Sequence, residues 1–350
     1  MTPIPSRGGA PAPIADARTT APSDDHDETA RRPPAVVVIG ESVMDVIGDP
    51  AGSGSMTPGG SPLNVAVALG RLEVPVQFLT ALGSDAYGDR ILAHLRDAGA
   101  DVVSAGPVGA GTPVATAELA ADGSAHYDLE FTWSLRPDVP VSEAGLLHAG
   151  SLALFLRPGA GRVAEILAAA RRRGAVVSID PNIRPSLLPP LPEVRRRFED
   201  LCAHADIVKL SDEDASWLYP GLAPGDLLGK LLGLGASLAG LTTGADGSLL
   251  ASGDHRVHVP AAPARVVDTI GAGDAYMAGL LYKILEQDLA RSLRRPRGLP
   301  DDTLRTIGSF AARTAGVTVT RRGADPPRLS QVRSGTPRPD SPASTAREAR

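Results

Sequence analysis

One cysteine stands among 350 residues. No disulfide can close within the chain, and no cysteine-based metal site can form. The lone thiol, Cys202, reads as a small buried hydrophobe, and a reducing cytoplasm suits such a chain. A basic excess is also missing. Against 35 Lys and Arg stand 40 Asp and Glu, a formal charge of −5, which gives nucleic acid or an anionic membrane no footing. The N-terminus lacks the continuous apolar core of a signal peptide. No run is apolar enough to span a bilayer. The densest, "LLGKLLGLGASLAGL" at 227–241, carries Lys230 and several glycines and reads as a helix followed by a buried strand. The histidines at 26, 94, 126, 148, 204, 255 and 258 have no metal-like spacing, and no internal repeat is visible. The absences predict a soluble cytoplasmic protein with neither nucleic acid nor membrane as partner.

What remains is ordinary globular composition, 43% hydrophobic and 21% charged, enough for one large α/β domain or two smaller ones. Residues 1–34 and 326–350 are rich in Pro, Ala, Gly, Ser and Thr. They offer too little apolar surface to offset ordering entropy, so both read as disordered tails around a domain at 35–325. Within the domain, strand-like and helix-like runs alternate. "AVVVIG", "VQFLTALG", "LLHAGSLAL", "AVVSID", "DIVKLS" and "ASLAGLTTG" read as strands. "SPLNVAVALGRL", "DRILAHLRDAGA", "GRVAEILAAARRRG", "PEVRRRFEDLCAHA" and "GDLLGKLLGLG" read as helices. Such alternation predicts an α/β fold with a doubly wound, mostly parallel sheet. One segment differs. Residues 112–131 alternate at period two around Asp122-Gly123, a hairpin signal. A hairpin inserted in an α/β chain suits a lid or a subunit contact, an edge hairpin without a role being the plainer alternative. Trp133 and Tyr127, near it, suit either the lid core or a ligand face.

The stretch "VVDTIGAGDAYMAGLL" at 266–281 joins a small-residue turn, a carboxylate and a helix start. Met277, Leu280, Leu281 and Ile284 form one helical face, so Gly271, Ala272 and Gly273 sit at a helix N-terminus. Free amides and the positive dipole end suit an anion there. Asp274 beside an anion site makes sense as a base for a nucleophile attacking a phosphate. Alone, the stretch is equally a structural turn. It is no Walker A loop, since no Gly-Lys-Ser/Thr follows, and it lacks the third glycine of a dinucleotide fingerprint. Upstream, "PGGSPLNVAVALGRL" places Gly59 and Gly60 before a helix whose early turn holds Asn64, an amide suited to vicinal hydroxyls. Asp45 follows the first strand, where open α/β sheets bind ligands.

Together these pieces resemble the PfkB, or ribokinase-like, carbohydrate kinase family, and its fructokinase-like members most. "GGSPLNVAVALGRL" is similar to its first signature and "DTIGAGDAYMAGLL" to its second. "IDPNIRP" and "LTTGADG" resemble segments between them, in family order. The resemblance implies the ribokinase-like fold with a small β lid, and transfer of the ATP γ-phosphate to a sugar hydroxyl, fructose first. It implies Asp274 as base and Gly271, Ala272 and Gly273 as anion hole. Asp45, Gly59, Gly60, Asn64 and Arg184 would face the sugar. Lys209, Ser211, Thr243, Gly244, Gly247 and Thr269 would face the nucleotide. It further implies Mg²⁺, often a monovalent cation such as K⁺, and in many members a homodimer through the lid. The sequence departs from the family at "KLSDED", where Ser211 and Asp214 stand for the usual Asn-x-x-Glu. Asp214 would then reach Mg²⁺ through water. Arg157 stands where some members carry an acidic or polar sugar contact; a solvated loop residue is the plainer reading. The alternatives are a 2-keto-3-deoxygluconate kinase, with Arg184 or Arg157 on the acid's carboxylate, then a ribose or nucleoside kinase. A sugar or nucleotide sensor on the same fold is the reading from another class.

Overall fold

Residues 35–48, 55–119, 125–130, 132–139 and 141–334 are described by the computed structural model. The apolar run Val36–Ile39 forms the first strand, β1, buried along its whole length. Alternate side chains leave a strand on opposite faces, so Val36 and Val38 enter one core and Val37 and Ile39 another. Burial on both faces is why the run shows no polar alternation. The other strands are β2 (Val43–Gly48), β3 (Ser55–Gly59), β4 (Val76–Thr80), β5 (Ala100–Ser104), β6 (Val114–Leu119), β7 (Ala125–Glu130), β8 (Leu146–Gly150), β9 (Val176–Asp180), β10 (Ile207–Ser211), β11 (Leu238–Thr242), β12 (Ser248–Ser252) and β13 (His255–Val259). The helices are α1 (Ser61–Arg71), α2 (Ala86–Asp97), α3 (Gly159–Arg172), α4 (Leu191–Cys202), α5 (Asp212–Leu218), α6 (Pro224–Leu234), α7 (Ala272–Glu286), α8 (Ala290–Leu293), α9 (Asp301–Thr318) and α10 (Leu329–Ser334).

The large sheet runs β13-β12-β11-β10-β9-β8-β1-β4-β5. Its pairs are parallel except those of β12, which runs against β11 and β13. The chain builds outward from β1 to β4 and β5, then returns to the other side of β1 with β8. That reversal between β1 and β8 opens a crevice at the strands' carboxyl ends, the place such sheets keep for ligands. A second, four-stranded sheet runs β3-β2-β6-β7. The hairpin expected at 112–131 supplies β6 and β7, paired antiparallel; its tip, with Asp122-Gly123, lies outside the described residues. No helix among the described residues is long and apolar enough to cross a membrane.

Four expectations need correction. The C-terminal tail does not begin at 326: α10 at Leu329–Ser334 buries Leu329 and Val332 in the core. Polar composition hid this short segment, which Arg71 of α1 ties down by bonding Asp325 and the Pro326 carbonyl. The segments 1–34 and 335–350 lie outside the described residues. The second half of "LLHAGSLAL" is no strand; Ser151–Leu154 turns as a 3₁₀ helix, its Leu152 and Ala153 amides bonded to the Glu41 carboxylate. Asp45, expected beside the end of β1, sits within β2, opposite Thr57 of β3 and Ala115 of β6. Trp133 is fully buried in the core on the α3 side rather than facing a ligand, and Tyr127's side chain lies outside the described residues.

Candidate active site

A cavity of about 1250 Å³ opens at the sheet's carboxyl edge, beneath the small sheet. That exceeds the space a single small ligand needs and suits two ligands side by side. One end is walled by Glu41, Asp45, Ser61, Asn64 and Asn182. The other is apolar, with Ala262, Ala264, Val266, Ala315 and Val319 among its walls. Between them lie Asp274 and the small-residue turn before α7.

Asp274 belongs to the first turn of α7, a helix buried on almost all sides and packed between α1 and α9. Such a helix has little freedom to move its first turn. The carboxylate meets α1, where Ser61 Oγ donates to one oxygen at 2.6 Å and Asn64 Nδ2 to the other at 2.8 Å. Burial pushes the Asp274 carboxyl up from its ordinary value, opposed by these two bonds and by Lys209 and Arg184.

Gly271 adopts φ 76° and ψ 2° at the head of α7. That left-handed backbone favours glycine, and a Cβ there would press on Ala324. Asp268 secures the approach, accepting from the Ile270 amide at 3.0 Å and the Gly323 amide at 2.8 Å; these bonds hold its carboxyl below the usual range. The Ala272 amide is not free, since it bonds the Thr269 carbonyl at 3.2 Å. The expectation that it serves an anion is corrected accordingly. The Gly273 and Asp274 amides, at the helix start, have no backbone partner among the described residues and point to the same end as the helix dipole. Lys209 Nζ comes within van der Waals reach of the space a Cβ on Gly273 would fill.

Lys209 is buried and pairs with Asp180 at 2.9 Å. Burial opposes its charge, but Asp180, then Asp214 and Asp274, outweigh that and hold the ammonium protonated. Burial pushes the Asp180 carboxyl up to about 6, against the pull of Lys209. Asp180 Oδ1 is buried without a hydrogen-bond partner among the described residues. Ser211 and Asp214, the departure from the family pattern, form a capping box at α5. Ser211 Oγ accepts from the Asp214 amide at 3.0 Å, and Asp214 accepts from the Ser211 amide at 3.1 Å. The other Asp214 oxygen accepts from the Ile183 amide at 2.6 Å. The pair thus fixes the loop carrying Asn182 and Arg184 to the end of β10.

The cavity gathers most residues expected from the sequence: Asp45, Gly60, Asn64, Arg184, Lys209, Ser211, Asp214, Gly244, Gly247, Thr269, Gly271, Ala272, Gly273 and Asp274. Gly59 and Thr243 do not line it. Gly59 leaves room for Asp45, whose carboxylate a Cβ would strike; Thr243 braces its own turn by donating to the Gly247 carbonyl at 3.1 Å. Asn64 gives its amide N–H to Asp274, which leaves Oδ1 for a ligand hydroxyl. Arg157 is exposed and away from the cavity. Glu41, Ser61, Ser151 and Asp180 were missed. Asp180 had a readable signal, since it ends a strand at the ligand edge; Ser151 had none, because the sequence reads as strand through Leu154. Ser61 had only its place after Gly59-Gly60.

A fructokinase-1 of Oryza sativa subsp. japonica is 32% identical over 324 residues, covering 87% of this chain and 97% of that protein. The crystal structure of a fructokinase with bound ATP from Xylella fastidiosa matches with a TM-score of 0.72 and 29% identity, over 86% of this chain and 97% of that one. A fructokinase from Vibrio cholerae O395, in its fructose-, ADP- and calcium-bound form, matches with a TM-score of 0.73 and 27% identity, over 85% and 97%. The model of the pfkB family carbohydrate kinases spans residues 34–331. The fold is therefore that of a sugar phosphotransferase, and the chain belongs to the pfkB family of carbohydrate kinases.

Proposed function

We propose that this chain is an ATP-dependent fructokinase with Asp274 as general base. The observation that carries the reading is the placement of Asp274, held by α1 from the polar end of the cavity and standing at the head of α7. A sugar hydroxyl entering from the polar end gives its proton to the carboxylate as its oxygen attacks the γ-phosphorus. The bond from that phosphorus to the β–γ bridging oxygen breaks, and ADP leaves with the electron pair. The Gly273 and Asp274 amides and Lys209 face the charge on the transferring group. ATP occupies the apolar end, where small side chains leave room for a base. Two carboxylates on the cavity wall, Asp180, whose Oδ1 has no partner among the described residues, and Asp214, fit a hydrated Mg²⁺. When bound, the ion would neutralise charge on the phosphates.

Fructose ranks first because the acceptor end holds Glu41, Asp45 and Asp274. A neutral polyol can donate to those carboxylates, whereas the carboxylate of 2-keto-3-deoxygluconate would be repelled. Arg184 is the observation favouring the acid as second reading, but it is exposed and donates to the Ile183 carbonyl at 2.9 Å. The test is ADP release with MgATP across fructose, ribose, 2-keto-3-deoxygluconate and a nucleoside. Fructose is expected to give the highest kcat/KM. A higher value for another acceptor overturns the substrate, and tight sugar binding without turnover on any of them favours the sensor.

Asp45 makes a pH prediction. Burial pushes its carboxyl up to about 6. Above that value it is ionised and accepts from sugar hydroxyls; as pH falls through it, that acceptor is lost. KM for the sugar is therefore expected to rise as pH drops below about 6, with KM for ATP unaffected. Asp45→Asn should raise the sugar KM throughout and flatten its pH dependence. A variant that keeps the wild-type slope would remove Asp45 from the acceptor site.

A further inference from the structure

The roles given above leave Ser61 without one, although it makes the shorter of the two bonds to Asp274. We propose that Ser61 is a positioning residue, whose hydroxyl, paired with the Asn64 amide, holds the Asp274 carboxylate in one orientation and in its ionised form. The inference rests on the reading of Asp274 as base.

Ser61 opens α1, with Pro62 behind it. Residues three apart share a helix face, so Ser61 and Asn64 reach the same group. Each takes one carboxylate oxygen, at 2.6 Å and 2.8 Å. Two donors on two oxygens fix the plane of the carboxylate and leave a lone pair for the incoming hydroxyl. The Ser61 distance is that of a charge-assisted O–H···O⁻ bond. Ser61 is buried, so water does not readily replace its hydroxyl. The first turns of both α1 and α7 meet at this carboxylate, and both positive helix ends favour its charge. Lys209 of β10 and Arg184 of the loop after β9 act in the same sense. Burial opposes them, as does the neighbouring Asp180 carboxylate. Each hydrogen bond to the ionised form lowers the carboxyl's pKa, so losing one short bond moves the titration upward.

The experiment compares wild type, Ser61→Ala and Ser61→Thr in two readouts. One is the pH profile of kcat/KM with fructose and MgATP. The other is the ¹³C NMR titration of the Asp274 carboxyl, assigned by its loss in Asp274→Asn. A hydrogen bond to a charged group corresponds to a shift of about one to two pH units. Ser61→Ala should move both the acidic limb and the NMR midpoint up by that amount and lower kcat about tenfold, with KM for ATP unchanged. Ser61→Thr, which keeps the hydroxyl, should restore them. If the Ala variant does not fold, Ser61→Cys, of similar volume and with only a weak donor, gives the same readouts. A loss of activity without a shift in either titration would make Ser61 a packing residue and overturn the proposal, as would no change at all. The two readings fail separately. Asp274→Asn with near wild-type turnover would refute the base, while the NMR shift would still report the hold of Ser61.

Discussion

Asp274→Asn is expected to lower sugar phosphorylation by about 10²–10⁴-fold, the usual contribution of a positioned general base, and to leave ATP affinity and folding intact. The expected folding behaviour follows from the clamp. The amide oxygen of the new side chain can accept from Asn64, and its N–H₂ can donate to the Ser61 hydroxyl, which accepts as readily as it donates. Both bonds to α1 survive with one direction reversed. The buried charge disappears, and burial is what pushes this carboxyl upward, so the melting temperature should hold or rise. The loss is then confined to proton removal from the acceptor. A kcat within tenfold of wild type, measured by ADP release with saturating sugar and ATP, would refute the assignment. A loss of ATP binding in the same variant would place Asp274 at the nucleotide instead.

Much of this architecture was readable in the chain because its causes are local. An apolar run such as Val36–Ile39 announces a strand buried on both faces, and the helices between the strands keep the period that a core-facing helix requires. The turn at Gly271 was readable because a left-handed residue at a helix start needs glycine. The partners of Asp274 were not. Ser61 and Asn64 lie more than 200 residues away in sequence, and nothing local to either position shows which carboxylate they meet. For the same reason Asp45 was placed on the wrong element. Its surroundings are set by β3 and β6 across a second sheet, and the short turn from β1 gives no sign that the chain changes sheets. The Ser211–Asp214 departure was legible as a change of residue types. Its meaning, a helix cap that also grips the Ile183 amide, needed the fold.

Lys209→Met is expected to damage the protein twice, and the two effects can be separated. The first is stability. Lys209 and Asp180 are both buried and pair at 2.9 Å. Removing one partner of a buried pair leaves an uncompensated charge and costs about 3–5 kcal/mol. The loss depends on pH in a definite sense. Lys209 holds the Asp180 carboxyl down against burial, so without it the folded-state pKa rises above about 6. A carboxyl whose folded pKa lies above its unfolded one favours the folded state at low pH and loses that advantage as pH climbs. The melting temperature of Lys209→Met should therefore fall further behind wild type as pH rises. Asp180→Asn in the same chain removes the stranded charge and should recover most of the stability, flattening this pH dependence. The second effect is catalytic. If the ammonium beside Gly273 meets the transferring phosphate, its loss costs about 10²–10³ in kcat, and Asp180→Asn cannot return it. A stable double variant that remains slower than the Asp180→Asn single variant, which itself loses a carboxylate offered to Mg²⁺, assigns Lys209 to the phosphate. A double variant with wild-type turnover would confine the pair to holding β9 against β10, and the charge on the phosphate would then rest on the amides of α7 and the metal.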